Sequence, residues 1–321
     1  MLVSILIPCY NAEPWIGEAI RSALDQDYAN KEVIVVDDGS TDGSLEVIRG
    51  FGDRITFQPG PHAGANAARN RLTDLARGEW LQYLDADDYL LPQKLTSQVQ
   101  MLGDAQGIVD VICSPVICHT INSGADRVLA INHADAALNF INWGMLQTTG
   151  LLFRRTAVLE VGGWKNDQPC CQEHELLLRL LVAGGRFITG SIPASVYRVH
   201  SEGTVSRRDP LRVIRIRMEL TNRLVQYLDT IGNLTSAHRS ALFVARMEAA
   251  RSAYAKGDQQ LAAQLYEKAC EVRVEWPRGL AALPFSYRCA LQILGFKRAE
   301  QLASLQRRWR SFGSPSFSQS Q

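Results

Sequence analysis

Two carboxylates that directly follow an apolar run have the spacing of a metal-binding turn. Asp85 and Asp87 are one residue apart and come straight after the run Trp80–Leu84. Two carboxylates placed in this way can bind one hard divalent cation, directly or through water. Such a cation can neutralise a diphosphate group. An acidic turn can also be merely solvated, but its position after a buried strand favours the binding interpretation.

A second acidic pair, Asp37 and Asp38, follows the predicted strand Glu32–Val36, which is apolar and β-branched from Val33 onward. A carboxylate at this point can accept hydrogen bonds from a nucleotide base or a ribose. Gly39 next to the pair allows the backbone to turn sharply. The alternative is an ordinary strand-to-helix turn in which a polar side chain caps the next helix. The local pattern leaves both interpretations open.

Strands and helices alternate along the first ninety or so residues and explain how these clusters come together. The apolar run of the second strand does not alternate with polar residues, as expected for a strand buried on both faces. Alternation of this kind predicts an α/β fold with a mostly parallel sheet flanked by helices. Ligands of such sheets bind beyond the carboxyl ends of the strands, where both acidic pairs and the segment Cys9–Asn11 are expected. The predicted strands are 2–8, 32–36, 54–58 and 80–84, and the predicted helices are 12–26, 44–49 and 64–77.

Seven segments of the chain, in this order, resemble the inverting glycosyltransferases of family 2, which have the GT-A fold. The resemblance covers about two-thirds of the chain, and no single motif decides it. The segments are Val3–Asn11, Glu32–Gly43, Gly64–Asn70, Gly78–Asp88, Thr149–Trp164, Gln172–Leu180 and Tyr197–Ser206.

The resemblance implies which residues hold the nucleotide. Pro8, Tyr10 and Asp38 match positions that bind the base, which in this family is usually uracil. Arg69 is a weaker candidate for the same pocket. Asp85 matches the position that contacts the ribose or a metal-bound water.

The resemblance also implies a divalent metal, Mn²⁺ or Mg²⁺, as cofactor. Asp87 matches the direct metal ligand of the family. His200 matches a histidine in a loop that closes over the diphosphate and helps to bind the metal.

The catalytic base implied by the resemblance is Glu173. The usual Glu-Asp pair of the family is Gln172-Glu173 here, so the base is one methylene longer and its acidic neighbour is lost. A register shifted by one residue would place His174 there, and histidine can act as a base near neutral pH. The alternative for Glu173 is a carboxylate that interacts favourably with a helix dipole. Trp164 and His174 are candidates for contact with the sugar or acceptor.

The implied activity is the inverting transfer of a hexosyl-type sugar from a nucleotide-diphosphate sugar, with UDP expected, to an acceptor hydroxyl. Glycan or lipid-linked acceptors of polysaccharide, lipopolysaccharide or other glycoconjugate synthesis are expected. The alternative is an inactive transferase-like scaffold that binds partners through its basic helices. A dinucleotide-dependent dehydrogenase is excluded, because Pro8–Glu13 lacks the required Gly-x-Gly-x-x-Gly.

The chain changes character near residue 207. Residues 1–206 hold 15 Lys and Arg against 24 Asp and Glu, whereas 207–321 hold 19 against 9. We expect a GT-A catalytic domain over 1–206, a helical region over 207–310 and a disordered tail over 311–321.

Within the helical region, Arg246–Cys270 predicts two helices around a Gly257-Asp258 turn. The basic amphipathic segment Tyr287–Arg310 can lie on an anionic membrane. The alternative is a helix packed on the catalytic domain with a solvated basic face.

Composition is that of an ordinary globular protein, with 46% hydrophobic and 21% charged residues. The apolar runs have strand length, so no membrane span is expected. The N-terminus has no basic start and predicts a strand rather than a secretion signal. Seven cysteines without a C-x-x-C spacing favour a protein of the reducing cytosol. Peripheral attachment to the inner face of the membrane is a further option, which rests on the basic segment Tyr287–Arg310. Nucleic-acid binding is not expected, because the basic half lacks interleaved aromatic residues.

Overall fold

The computed structural model describes residues 1–144, 147–200, 209–272 and 285–312, with side chains up to residue 305. The chain divides into two compact units, Met1–Asp209 and Pro210–Gln321. No helix in the described ranges is long and apolar enough to cross a membrane.

The first unit alternates strands and helices as the sequence predicts. Its strands are β1 (Val3–Cys9), β2 (Lys31–Asp37), β3 (Thr56–Pro59), β4 (Trp80–Tyr83), β5 (Tyr89–Leu90), β6 (Val111–Cys113), β7 (Val116–Thr120), β8 (Ala125–Leu129), β9 (Leu151–Arg154), β10 (Phe187–Thr189) and β11 (Ser195–Val199). Its helices are α1 (Glu13–Leu24), α2 (Ser44–Arg49), α3 (Ala65–Leu75), α4 (Lys94–Asp104), α5 (Ala136–Ile141), α6 (Arg155–Glu160) and α7 (Gln172–Val182). Short 3₁₀ turns lie at Gly52–Arg54 and Thr148–Gly150.

The main sheet has the strand order β10-β6-β9-β4-β1-β2-β3. Strands β4, β1, β2 and β3 run parallel, and β9 is antiparallel to both of its neighbours. This arrangement confirms the predicted mostly parallel sheet flanked by helices. Because β4, β1 and β2 are adjacent and parallel, the segments that follow them all meet at one edge.

Burial explains why the central strands are continuously apolar. Ile5 and Ile7 of β1 are inaccessible to solvent, and so are Ile16 and Ile20 of α1, which belong to the same core cluster. Burying side chains of this size stabilises the fold by roughly 1.5–3 kcal/mol each. The rigid sheet then fixes where its terminal loops begin.

A second sheet of order β5-β11-β7-β8 brings a distant segment to the acidic turn. β5 lies directly after Asp85–Asp88, and β11 pairs with it antiparallel. His200 follows β11 in the chain. The pairing of β5 with β11 therefore carries His200 to the end of β4.

The second unit contains helices α8 (Pro210–Thr230), α9 (Ser236–Ala255), α10 (Gln259–Cys270) and α11 (Phe285–Phe312). The predicted pair of helices around Gly257-Asp258 is confirmed. Gly257 has φ +89°, and the side chain of Asp258 accepts a hydrogen bond from the Leu261 amide at 2.9 Å. The predicted tail, 311–321, lies outside the described residues from 313 onward.

Helix α11 is interrupted at Gly295, which has φ +73° and ψ 170°. Glu300 of this helix is fully buried and accepts hydrogen bonds from Arg251 Nε at 2.8 Å and from the Tyr287 hydroxyl at 2.5 Å. These contacts fasten α11 to α9 within the second unit.

Candidate functional site

The loops after β1 and β2 are tied together by side chains. Asn11 has φ +48°, and its Oδ1 accepts a hydrogen bond from the Thr41 amide at 2.8 Å. The Asn11 amide in turn donates to Ser40 Oγ at 2.9 Å. Asp37 Oδ2 accepts from the amides of Gly39 and Ser40, both at 3.0 Å. The acidic motif after β2 is therefore a built turn and not a loose solvated loop.

Asp38 anchors a third loop to these two. Its carboxylate is almost fully buried and accepts from the amides of Ala63 at 2.8 Å and Gly64 at 2.9 Å. Nδ1 of His62 lies 2.9 Å from Asp38 Oδ2. The His62 ring stacks on Tyr10, with 4.2 Å between centroids. Tyr10 is 47% exposed, so an open aromatic surface lies beside a buried carboxylate.

His62 is a residue that sequence reasoning missed. Its side chain is 56% exposed in a loop, and its ring contacts Asp38 and Tyr10, two predicted base-binding residues. The only indication in the sequence was the pair of flanking glycines, Gly60 and Gly64, which suggest a tightly turning loop around His62. Pro8, the third predicted base-binding residue, lies partly buried in β1 opposite Val36.

The acidic turn after β4 faces the end of β11. His200 Nε2 lies 3.0 Å from Asp87 Oδ2, and the Arg198 amide donates to Asp88 Oδ1 at 2.9 Å. Burial raises the pKa of Asp87, and the nearby Asp85 carboxylate raises it further. Burial likewise holds the pKa of Asp88 well above its usual range. Carboxylates crowded in this way are stabilised by a cation.

Arg198 braces this arrangement. Its Nη1 donates to the Asp87 carbonyl at 3.0 Å, and its Nη2 donates to Glu18 Oε2 of α1 at 2.6 Å. The guanidinium also lies over the rings of Trp15 and Tyr89, at 5.2 and 4.6 Å. Arg198 therefore holds the end of β11 against the acidic turn.

The donor set fits a small divalent cation that is also bound by a ligand. No group of three His, Cys, Asp or Glu side chains within the described ranges is arranged to hold a metal. Mg²⁺-like cations commonly take only one or two protein carboxylates and fill the other positions with phosphate oxygens and water. Asp87 Oδ2 and His200 Nε2 are in direct contact at 3.0 Å, and a shared cation would replace this contact by two bonds to the metal.

Arg69 joins the acidic turn to α7. It is 5% exposed, and its Nη2 donates to Asp85 Oδ1 at 2.8 Å. Its Nη1 donates to Gln172 Oε1 at 2.8 Å, and its guanidinium lies over the ring of Trp164 at 4.8 Å. That Arg69 lines the base pocket stays a prediction, and its contacts make it a buried link between the acidic turn and α7.

Helix α7 presents Glu173 beside this link. Cys171 precedes the helix with φ +55°, and Glu173 Oε1 accepts a hydrogen bond from Thr148 Oγ1 at 2.9 Å. The side-chain amide of Gln172 makes two hydrogen bonds. Its Oε1 accepts from Arg69, and its Nε2 donates to the Gln168 carbonyl at 3.2 Å. A carboxylate could not make the second of these contacts.

The two residues predicted to meet the sugar or acceptor are both buried. His174 is 3% exposed, and its ring stacks on Trp143 with 3.4 Å between centroids. Trp164 is 2% exposed and packs edge-on against Tyr83 at 5.0 Å. That either side chain contacts the sugar or acceptor stays a prediction, and both rings are packed against aromatic neighbours in this structure. The same burial argues against His174 as the base.

Residues 4–161 match the family model described as glycosyl transferase family 2. A UDP-Glc:alpha-D-GlcNAc-diphosphoundecaprenol beta-1,3-glucosyltransferase from Escherichia coli, WfaP, is 29% identical over 219 residues, which are 67% of this chain and 83% of the relative. The chain spans less than half the length of three other curated relatives, all uncharacterised glycosyltransferases.

Two solved structures share the fold. TarS from S. aureus in complex with UDP-GlcNAc has a TM-score of 0.59 at 16% identity, over 84% of this chain and 91% of that one. The mannosyltransferase PcManGT from Pyrobaculum calidifontis in complex with GDP-Man and Mn²⁺ has a TM-score of 0.54 at 21% identity, over 96% and 87%. The mixed α/β fold therefore matches glycosyltransferases of the GT-A type.

The turn at Gly39 yields a stability prediction. Gly39 has φ +80°, and a Cβ there would lie 2.7 Å from the His62 backbone nitrogen. Gly39→Ala adds about 1–2 kcal/mol of left-handed strain and about 1–3 kcal/mol of overpacking. Gly52 has φ +54° with nothing within 4 Å of such a Cβ, so Gly52→Ala adds strain alone. Urea denaturation should show the larger loss for Gly39→Ala, and equal losses would contradict the contact.

Proposed function

Because the chain belongs to glycosyl transferase family 2, we propose that it is an inverting transferase that uses a UDP-sugar and a divalent metal. The observation that carries the proposal is the chain of contacts from the acidic turn to α7. Arg69 binds Asp85 on one side and Gln172 on the other, and Glu173 is the next residue along the helix. A donor site and a candidate base are thereby held next to each other.

The nucleotide is proposed to bind where the loops after β1, β2 and β3 meet. The exposed face of Tyr10, fixed by its stack on His62, offers an aromatic surface to a planar base. Asp38 acts mainly through the amides of Ala63 and Gly64, which it holds in place. UDP is favoured as the nucleotide because the WfaP relative is named for UDP-Glc and the TarS structure contains UDP-GlcNAc.

Asp87 and His200 are proposed to hold Mn²⁺ or Mg²⁺, with Asp85 beside them. When bound, the cation supplies charge neutralisation for the diphosphate leaving group. The protein contributes the position of the two donors, because Arg198 fixes the Asp87 carbonyl and the strand that leads to His200. The PcManGT neighbour, which contains Mn²⁺, supports a metal of this class.

Glu173 is proposed as the general base. Its carboxylate takes the proton of an acceptor hydroxyl as that oxygen attacks the anomeric carbon, and the bond to the diphosphate breaks on the opposite side. A single displacement of this kind inverts the anomeric configuration. General-base help is worth about 10²–10⁴-fold in rate, and holding both substrates in line supplies much of the rest.

The acceptor is proposed to be a glycan on a lipid diphosphate. WfaP, matched over 83% of its length, is named for α-D-GlcNAc-diphosphoundecaprenol. A transferase with such an acceptor works at a membrane surface in polysaccharide or lipopolysaccharide synthesis. With such an acceptor, we propose that the protein acts in the cytoplasm, at the inner face of the membrane.

Helix α11 carries side chains that suit that surface. Phe285 is 73% exposed, Ile293 79%, Leu302 45% and Leu305 52%. Lys297 and Arg298 are exposed on the same helix. Apolar side chains and basic ones both contribute to binding at an anionic lipid interface. We therefore propose peripheral contact with the membrane through α11.

The catalytic proposal predicts that Glu173→Gln keeps donor binding and loses transfer. The amide has nearly the same shape as the carboxylate but cannot accept the proton, so kcat should fall by roughly 10²–10⁴-fold. Calorimetry of UDP binding with Mn²⁺, beside transfer from UDP-glucose to GlcNAc-diphosphate-lipid, separates the two effects. Glu160→Gln, at an exposed position of α6, is the matched control.

Two results would remove parts of the proposal. Full transfer by Glu173→Gln would exclude Glu173 as the base. UDP binding without turnover of any nucleotide sugar by the unmodified protein would favour the scaffold over the enzyme.

The membrane proposal predicts that Ile293→Ser/Leu302→Ser/Leu305→Ser weakens binding to vesicles. Loss of three apolar anchors should reduce the fraction that sediments with anionic vesicles by roughly tenfold. Ile108→Ser/Ile192→Ser removes two side chains of the first unit that are 71% and 58% exposed, and serves as the control. Equal sedimentation of both variants and the unmodified protein, or no binding to anionic vesicles at all, would contradict the proposal.

A further inference from the structure

We propose that Thr148 is a positioning residue for Glu173 and that a buried lysine, Lys94, holds the turn that carries Thr148. The inference rests on the proposed role of Glu173 as the base. It concerns buried groups that lie outside the nucleotide and metal loops and reach Glu173 through Thr148.

The contact between Thr148 and Glu173 is direct. Thr148 is 2% exposed and opens the 3₁₀ turn Thr148–Gly150, immediately before β9. Its hydroxyl donates to Glu173 Oε1 at 2.9 Å. A hydrogen bond to one oxygen restricts the rotation of the carboxylate and so favours one direction for the other oxygen. A base needs this, because proton transfer depends on hydrogen-bond geometry with the acceptor hydroxyl.

Lys94 lies behind the turn in a position that is unusual for a lysine. Its side chain is fully buried, and its Nζ donates to Gln82 Oε1 at 2.7 Å and to Gln98 Oε1 at 2.5 Å. Burial lowers the pKa of Lys94 well below its usual range. An amino group placed between two amides costs more to bury than an apolar side chain of the same size. The two hydrogen bonds to the glutamine amides offset part of this cost, so Lys94 acts as a hydrogen-bond donor inside the core.

The two glutamines connect Lys94 to the turn. Gln82 Nε2 donates to the Thr149 carbonyl at 3.3 Å, and Gln98 Nε2 donates to the Gly150 carbonyl at 3.1 Å. Because each amide oxygen accepts from Lys94, each amide nitrogen is free to donate on its other side. Gln82 Nε2 also donates to the Tyr83 carbonyl at 2.7 Å, and Gln98 Nε2 also donates to Ser114 Oγ at 2.9 Å, so each glutamine ties the turn to a neighbouring segment as well. A satisfied polar network of this kind fixes one arrangement of the core.

The turn is also confined on its other side. The Ser114 amide donates to the Gly150 carbonyl at 3.0 Å. A Cβ at Gly150 would lie 2.7 Å from the Ser114 carbonyl oxygen, so the backbones are in close contact. The turn that begins at Thr148 is thus held at the carbonyls of its next two residues, by the glutamines bound to Lys94 on one side and by Ser114 on the other. Through its contact with Thr148, the proposed base is thereby connected to the buried core.

The test compares Thr148→Val, which removes the donor, with Thr148→Ser, which keeps it, and with Lys94→Met, which has similar length and no amino group. Crystal structures should show the Glu173 carboxylate rotated in Thr148→Val and in its original place in Thr148→Ser. In transfer from UDP-glucose to GlcNAc-diphosphate-lipid, Thr148→Val should lower kcat by roughly 10- to 100-fold. The KM for the donor should stay within about twofold, and Thr148→Ser should restore most of kcat.

Lys94→Met should also lower kcat, as Thr148→Val does, when the variant is assayed well below its own melting temperature. Ile48→Val, at a fully buried position of α2, should lower the melting temperature without changing kcat. Thr148→Val added to Glu173→Gln should produce no further loss, because both changes act through one group.

The outcomes separate this inference from the proposal on which it rests. An unmoved Glu173 carboxylate in crystals of Thr148→Val, or unchanged kcat in that variant while Glu173→Gln is inactive, overturns the positioning role alone. Unchanged kcat in Lys94→Met overturns the role of the buried lysine. Full activity of Glu173→Gln overturns the base and the positioning role together.

Discussion

The buried guanidinium of Arg69 is the constraint on which the site depends. A charge removed from water must find partners within reach, because an unpaired buried charge is strongly unfavourable. Asp85, Gln172 and the ring of Trp164 meet that requirement from three separate parts of the chain. The contacts of this one side chain on α3 therefore link the acidic turn to the start of α7. The donor loops and the proposed base are joined through the same residue.

The departure from the family pattern at Gln172 follows from this constraint. An amide can accept from Arg69 and donate to the Gln168 carbonyl at once, which a carboxylate cannot. Asp85 and Glu173 both lie close enough to act on the charge of Arg69, so a neutral neighbour still leaves the guanidinium with acidic groups nearby. The glutamine thus serves the link between α3 and α7 and leaves Glu173 as the acidic residue that opens α7.

Sequence alone predicted the central sheet and the meeting of its loops, because burial on both faces gives unbroken apolar strands and parallel strands share one edge. The sequence did not predict contacts that depend on packing between distant segments. His62 gained a partner in Asp38, while Trp164 and His174 lost their accessible faces to aromatic neighbours. Lys94 had no signal at all, since a lysine at the start of a helix ordinarily points to solvent.

We propose that the loops after β1, β2 and β4, together with His200, form one nucleotide and metal site. A crystal grown with UDP and Mn²⁺, and measured for anomalous scattering from manganese, tests this proposal. We expect a manganese peak bonded to Asp87 and His200 and to diphosphate oxygens, with the uracil ring against Tyr10. A manganese peak away from Asp87, or UDP bound away from Tyr10, would contradict it.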